Sequence, residues 1–468
     1  MDIFHALLMS VKPNKQTVFS YEIDTTKASS SYQLSTVVPF VTSVVTTSYP
    51  SDVTIDWGDG TTPTVIDYGT YKVHNTQPSH TYATAGVYTV AITTESGCMP
   101  AWCWANYNSN YAPQLTKILT PFPTMYIYRS GDVAIPYDFR YYSGINQSNG
   151  IFFCCVNLSQ LPTRLFKFNS QIISTYQMFG DCQSLASLPN DLGWYFTNIF
   201  NTFGMFYGCS SLTSITSPIF RNFYFFYSGS PILISRMFTD SRVQTITAPI
   251  FSNCKGIIGA TGVDAGICYG ATNLINITVP MITGEISEIT FDIQDLFYNC
   301  YALNGDNVIA YSNLKTGASL DTLYYGCRFT TISEDFVTYA KANTDVTNVY
   351  GIFRGNTYLE TVPDEVLSFP NAVNYSYAFD GCTKLQVNPN TFCLPDDKDT
   401  RFANVGAYTF AYAFQRTSFT GTQGTAPDLW NYTFGTTPTK TGCYKGAGNS
   451  LTSLTNYADI PTAWGGNA

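Results

Sequence analysis

Met178 to Leu185 reads Met-Phe-Gly-Asp-Cys-Gln-Ser-Leu, and Met205 to Leu212 reads Met-Phe-Tyr-Gly-Cys-Ser-Ser-Leu. Variants of the phrase return at Leu296–Cys300, Leu323–Cys327, Ile352–Leu359 and Ala378–Leu385, with weaker copies around Phe153, Phe238, Cys268, Phe414 and Tyr444. The anchors recur every 26 residues (Phe353 to Phe379) to 35 residues (Phe379 to Phe414). A period in this range predicts stacked repeats, because one repeat cannot bury its apolar face alone and its neighbours complete the core. Such stacks present long continuous surfaces, so the pattern predicts binding rather than catalysis.

Within a repeat the order is aromatic, x, Gly or Asn, Cys, x, x, Leu, x, x, Ile or Leu, then Pro; Phe179 to Pro189 is a clean copy, and Phe353 to Pro363 another that continues to Val366 and Leu367. Leu followed by Ile or Leu at a gap of three predicts a short strand entered by a polar turn, with residues such as Ile173–Met178 forming a return segment. The copies at Phe238 and Tyr324 are one residue short before the apolar pair, and the copy at Phe414 loses Cys and Leu. Cys182, Cys209, Cys300, Cys327 and Cys382 hold one position, after Gly, Asp or Asn. A residue that recurs once per repeat is a packing position, and Cys fills such a slot as a small buried hydrophobe. The 13 cysteines therefore predict free structural thiols rather than a disulfide framework. The close pairs Cys98 with Cys103, and Cys154 with Cys155, lack the second pair or nearby His that a zinc site needs.

Residues 14–97 read differently. Val18–Ile23, Ser35–Val45, Val53–Trp57 and Val87–Thr93 alternate or run β-branched, and Gly58-Asp59-Gly60 and Ala85-Gly86 punctuate them. Several short strands separated by turns predict a β-sandwich. Gly58 and Gly60 permit a tight turn at positive φ, and Asp59 can bond the turn's own amides. A calcium role for Asp56, Asp59 and Asp67 competes with that turn chemistry, which accounts for the first two.

Two segments carry a resemblance. Trp57-Gly58-Asp59-Gly60-Thr61, followed by His80-Thr81-Tyr82-Ala83-Thr84-Ala85-Gly86-Val87-Tyr88-Thr89-Val90, resembles the polycystic kidney disease (PKD) domain signature. The resemblance implies an immunoglobulin-like sandwich, with His80 a motif residue rather than a catalytic base. The repeats resemble the BspA-like leucine-rich-repeat family, found in surface proteins of anaerobic bacteria, in mycoplasmas and in phages of gut bacteria. A PKD-like unit directly before such repeats is a familiar pairing in that family. The expectation is a mainly β protein: an N-terminal immunoglobulin-like (PKD-like) β-sandwich followed by a leucine-rich-repeat solenoid. Its parts are an N-terminal arm at 1–13, the sandwich at 14–97, an N-terminal cap at 98–150 that includes Trp102 and Trp104, and the solenoid at 151–468.

Charged residues make up only 12% of the chain and aromatics 16%, with 35 Tyr and 33 Phe; the charged fraction is about half the usual one. Such an uncharged polar surface suits extracellular or virion proteins. A net charge of -9 without a basic run argues against nucleic acid. No apolar stretch reaches membrane-spanning length, and Met1 to Gln16 lacks the basic and apolar regions of a signal peptide. The three histidines are His5, His74 and His80, so the repeats hold none for a Ser-His-Asp arrangement. Asp335, Asp364, Glu365, Asp396 and Asp397 read as solvated loop residues rather than a glycosidase pair. No cofactor and no metal are expected.

The candidate binding residues are aromatics outside the repeat phase: Tyr126, Tyr128, Tyr141 and Tyr142 before the first clear repeat, and Tyr224 and Tyr227 in the insertion Phe223–Tyr227. Exposed tyrosines serve glycan stacking and protein interfaces; the alternative is that they cap the array or cover a flank. The expectation is a non-enzymatic adhesion or recognition protein on a phage virion, a fibre or capsid decoration. It would bind host-surface or mucosal glycan or protein, and dock to other virion proteins through its N-terminal region, Met1 to Lys15. A homo-oligomer is compatible with this reading. The alternatives are a secreted bacterial cell-surface adhesin and a structural spacer with no ligand, with a polysaccharide depolymerase least favoured.

Overall fold

The computed structural model describes residues 17–39, 53–66, 78–94, 98–100, 108–129, 133–136 and 150–466, the last stretch interrupted at 171, 173, 197–198, 200, 226–231, 257–262, 265, 287–288, 405, 421–422 and 449–452. The fold is mainly β, in several sheets. It divides into two compact units. One comprises Met1–Ile199, Gly208–Leu212 and Ile219–Phe223; the other comprises Phe200–Tyr207, Thr213–Pro218 and Tyr224–Ala468.

The first ten strands all lie in the first unit: β1 Thr17–Asp24, β2 Ser35–Val37, β3 Val53–Asp56, β4 Thr64–Ile66, β5 Ser79–Thr81, β6 Val87–Thr94, β7 Cys98–Pro100, β8 Leu115–Ile118, β9 Thr124–Arg129 and β10 Val133–Pro136. An antiparallel sheet runs β4-β3-β6-β1-β8, and β2 pairs with β5 in a second, two-stranded sheet. β1 and β6 pair along their whole length, from Thr17 opposite Thr94 to Asp24 opposite Val87. The period of two sets the buried face: Phe19, Tyr21 and Ile23 of β1 are fully buried with Val53 and Ile55 of β3 and Val90 and Ile92 of β6. Gln114, itself buried, ties β2 to this sheet, accepting from Thr36 Oγ1 at 2.9 Å and donating to Ser35 O at 2.8 Å.

The sheet does not stop at residue 97. β8 pairs antiparallel with β1 on one edge, while on the other Lys117 bridges Gln160 in parallel, so one strand serves both the module and the first repeat. Phe122 makes the same link in the core, stacking 4.6 Å from Phe19 and 6.1 Å from Phe152.

The repeats of the second unit pair in parallel. Ser214–Ile215, Thr245–Ile246 and Asn276–Ile277 form one ladder. Ile232–Leu233, Val263–Asp264, Thr290–Asp292 and Lys315–Thr316 form another. Further along, single parallel bridges join Ser319, Asn348, Asn374, Thr409 and Thr439 in order. The short strand expected at the second apolar position is present at Ile215, Ile246 and Ile277. The phrase before it is instead a ribbon of turns.

That ribbon has a fixed hydrogen-bond scheme. The N–H of Phe297, Tyr324, Phe353, Phe379 and Phe414 donates to a carbonyl of the following repeat at 2.7–2.9 Å, and the N–H two residues later does the same, as in Gly355 to Asp380 O at 2.8 Å. The N–H after that folds back, as in Cys382 to Phe379 O at 3.0 Å. Reversing direction within four residues requires left-handed backbone two residues either side of the anchor. Asn299, Gly326, Gly355 and Gly381 lie at φ 58° to 76° on one side; Asp295, Thr322, Gly351 and Tyr377 lie at 51° to 59° on the other. Gly, Asn and Asp recur before the cysteine because they enter that region most cheaply.

The anchors themselves are buried and stacked. Phe297, Tyr324, Phe353, Phe379, Phe414 and Tyr444 form one file with centroids 5.2–5.6 Å apart. In the first unit Phe152 and Phe179 stack at 5.1 Å. Full burial of each Phe contributes on the order of 1.5–3 kcal/mol. The cysteine column lies behind this file. Cys327 Sγ donates to Phe297 O at 3.1 Å and Cys382 Sγ to Phe353 O at 3.0 Å, each reaching back one repeat. Asn356 fills the same slot and donates Nδ2 to Tyr324 O at 2.7 Å. None of the cysteines whose side chains are described forms a disulfide, and all of these but Cys154 are buried; burial raises thiols such as Cys300 and Cys382 well out of the thiolate range.

One helix, Glu334–Ala342, interrupts the scheme. Ser333 caps it by accepting from Phe336 N, Glu334 and Asp335 occupy its first turn, and Phe336, Val337, Tyr339 and Ala340 are buried. Asp335, expected in a loop, is thus a helix-terminus acid placed favourably against the macrodipole.

Candidate ligand-binding face

The out-of-phase tyrosines are only partly within view. Tyr126 and Tyr128 lie in β9, their backbones opposite Pro136 and Ala134. Tyr224 is half-buried in the strand Tyr224–Phe225, opposite Lys255. Tyr141, Tyr142 and Tyr227 lie outside the described residues, as do the N-terminal arm, Trp102, Trp104 and Asp67. Asp56 and Asp59 are both engaged in the turn: Asp56 Oδ1 accepts from Gly58 N at 2.9 Å, and Asp59 Oδ1 from Thr61 N at 3.1 Å and Thr61 Oγ1 at 2.6 Å. His80 Nε2 meets Asp59 Oδ2 at 2.7 Å and the imidazole stacks on Trp57 at 5.0 Å. Among the described residues no group of His, Cys, Asp and Glu is placed to hold a metal ion.

The strongest surface feature is a different set of tyrosines, in the second unit. In three consecutive repeats the residue directly after the buried anchor is a Tyr that reaches the surface: Tyr269, Tyr298 and Tyr325. All three are half-buried. Tyr269 and Tyr298 stack at 4.8 Å with 1° between their planes, and Tyr298 and Tyr325 at 4.5 Å with 7°. Arg236 covers the free face of Tyr269 at 4.0 Å. Arg354 lies between Tyr325 at 5.8 Å and Tyr377 at 4.6 Å, and Tyr377 stacks on Tyr412 at 5.0 Å. Cations over ring faces are held by the ring quadrupole.

This geometry decides what the face can do. The ring faces are spent on one another and on the arginines, so no sugar can stack flat upon them. What remains outward is ring edges and a row of phenolic hydroxyls at about the repeat spacing, each able to donate and accept. Burial, then the neighbouring phenols, push the hydroxyl of Tyr298 up, and Tyr377 shifts likewise; both stay neutral at physiological pH. A second, more exposed file runs Tyr301, Arg328, Tyr358, Lys384, with the cations 4.9–5.5 Å from the rings.

No protein-family model, curated protein or solved structure matches the chain. The outward tyrosines went unnoticed in the sequence because repeat-phase aromatics belong to the core. The available signal was the doublet: Cys268-Tyr269, Phe297-Tyr298 and Tyr324-Tyr325 each place a Tyr directly after a buried anchor at the same step of the repeat.

A groove of about 440 Å³, open to solvent, lies elsewhere in the same unit, lined by Lys341, Glu365, Ser368, Cys393 and Arg401 among others. Three of its charged groups, Lys341, Glu365 and Arg401, are already engaged. Lys341 pairs with Glu365 at 2.5 Å, and Arg401 donates to Phe369 O at 2.8 Å and Tyr375 OH at 2.7 Å. Burial pushes the Cys393 thiol up, which keeps it from acting as a thiolate. Among the described residues no helix is long and apolar enough to cross a membrane.

Proposed function

We propose that this chain is a non-enzymatic recognition protein, a PKD-like β-sandwich followed by a BspA-like leucine-rich-repeat solenoid. It binds a glycan on a host or mucosal surface through the outward tyrosine file of the repeats. The observation that carries this reading is the row Tyr269, Tyr298, Tyr325: repeated, outward and stacked edge-out at 4.5–4.8 Å. A rigid row of hydroxyls matches a ligand that is itself a row of hydroxyls, and its rigidity lowers the ordering cost of binding. The parallel pairing of consecutive repeats supports the solenoid reading, since it sets equivalent side chains at one spacing along one face. The low charged content and the family resemblance support an extracellular or virion location; the reading is a fibre or capsid decoration of a phage, with a secreted bacterial adhesin and a spacer without ligand as the alternatives.

The test is a glycan array probed with the full chain and with the double variant Tyr298→Phe, Tyr325→Phe. Phe keeps the stack and removes only the hydroxyls. Each neutral hydrogen bond contributes about 0.5–1.5 kcal/mol, so the pair should cost roughly tenfold in affinity with unchanged thermal stability. Undiminished binding by the double variant would remove the hydroxyl row from the site. An empty array would favour the spacer.

A further inference from the structure

Two guanidinium groups of the second unit share one carboxylate. Asp380 has a fully buried side chain and accepts from Arg354 Nε at 3.0 Å and from Arg416 Nε and Nη2 at 2.7–2.9 Å. A buried carboxylate needs a counter-charge, and one arginine supplies it. The second leaves a positive charge uncompensated, since neither arginine has another ion-pair partner among the described residues. That charge is held in place. Arg416 grips Asp380 bidentately, the stiffest geometry available to it, yet its side chain is 55% exposed. Its Nη1 has no partner among the described residues. Exposed Lys445 follows on the next repeat, its carbonyl accepting Arg416 N–H at 3.2 Å. Arg354 of the node lies over Tyr377, which stacks on Tyr412, and also meets Tyr325 at the end of the tyrosine file. In a chain of net charge -9, this is a fixed basic spot on the face that already carries the hydroxyl row.

We infer that the node at Arg354, Asp380 and Arg416 receives the acidic group of an anionic polysaccharide, carboxylated or sulfated, laid along the tyrosine file. The inference rests on the glycan reading of the face and adds the charge class of its ligand. The hydroxyls meet the sugar hydroxyls, and the free edge of Arg416 with the ammonium of Lys445 meets the acid. A cation already oriented by its own buried partner needs little reordering to bind a second anion.

The test is affinity electrophoresis of the full chain in gels containing dextran (neutral), polygalacturonate (carboxylated) or dextran sulfate (sulfated), at rising salt. The expected result is retardation by one or both polyanions and little by dextran, weakening as salt screens the contact. The polyanion that binds identifies carboxylate or sulfate. Arg416→Gln and Lys445→Gln should each weaken it about tenfold, the scale of one charge-assisted hydrogen bond. Lys445→Gln leaves the Asp380 pairing intact, so it remains informative if Arg416→Gln folds poorly. Equal binding of all three polymers, or polyanion binding unchanged in Lys445→Gln and in folded Arg416→Gln, overturns the inference and leaves the hydroxyl row standing. Array binding confined to neutral glycans overturns it as well. An array without any binding removes both readings together.

Discussion

Gly355 and Gly284 separate two reasons for a glycine. Gly355 sits at φ 74°, and a Cβ there would meet nothing closer than 3.7 Å. Only its left-handed backbone resists substitution, so Gly355→Ala should cost about 1–2 kcal/mol and Gly355→Asn less. Gly284, at φ 127°, would bring a Cβ to 2.1 Å from Cys254 O, across a strand pairing. Gly284→Ala must open that pairing and should lower the urea midpoint well beyond Gly355→Ala; equal losses would mean that backbone handedness alone governs both. At this scale the sequence was half legible. Gly, Asn and Asp before each cysteine announced a turn, because those residues enter the left-handed region readily. The matching turn before the anchor gave no consistent sign, since Asp295 and Gly351 share it with Thr322, Tyr377 and Tyr412, and the last three residue types do not favour positive φ.

The turn after β3 shows how an element is locked from its own sequence. Trp57 is buried, donates Nε1 to Thr64 Oγ1 at 2.9 Å, and accepts at its carbonyl from Tyr82 OH at 3.0 Å. His80 bridges Trp57 to Asp59. Burial opposes ionisation of Asp59, but the hydrogen bonds from Thr61 and His80 outweigh it and hold its carboxyl at about 2, below the ordinary 3.8. The sign follows: the folded form binds fewer protons than the unfolded one, so the ionised group stabilises the turn above pH ~4 and that contribution is lost as pH falls toward 2. Amide exchange at Ile55 and Trp57, corrected for intrinsic rates, should lose protection across this window in the native chain. In Asp59→Asn the protection should be lower at neutral pH and flat through the window; an unchanged slope would place the acid sensitivity elsewhere. Turn and flanking strands were readable from Trp57-Gly58-Asp59-Gly60 because the turn chemistry is local. The sharing of β8 was not, since pairing between β1 and residues some 95 positions away depends on tertiary contact, which no local pattern records.

For the molecule as a whole, the mainly β class and the repeat period were legible because both are periodic in the chain. The surface tyrosine file was not, because it depends on which side of a buried anchor the following residue falls. The virion reading makes a prediction at this scale. Mass spectrometry of purified phage particles should recover peptides from both 17–39 and 323–466 in constant ratio to a capsid protein. Recovery from the bacterial surface alone would favour the adhesin.

The recurring hydrogen-bond scheme of the anchor turns has a consequence for descent. Each repeat from Phe297 to Phe414 gives its alternate amide protons to the next, and Tyr444 gives its own to Trp464 O at 2.9 Å. A block copied or deleted from one anchor to the next therefore leaves donors facing acceptors on both sides of the join. Gene duplication can lengthen or shorten the tyrosine file by whole steps without first inventing a new edge, and the reach of that surface becomes a heritable dimension.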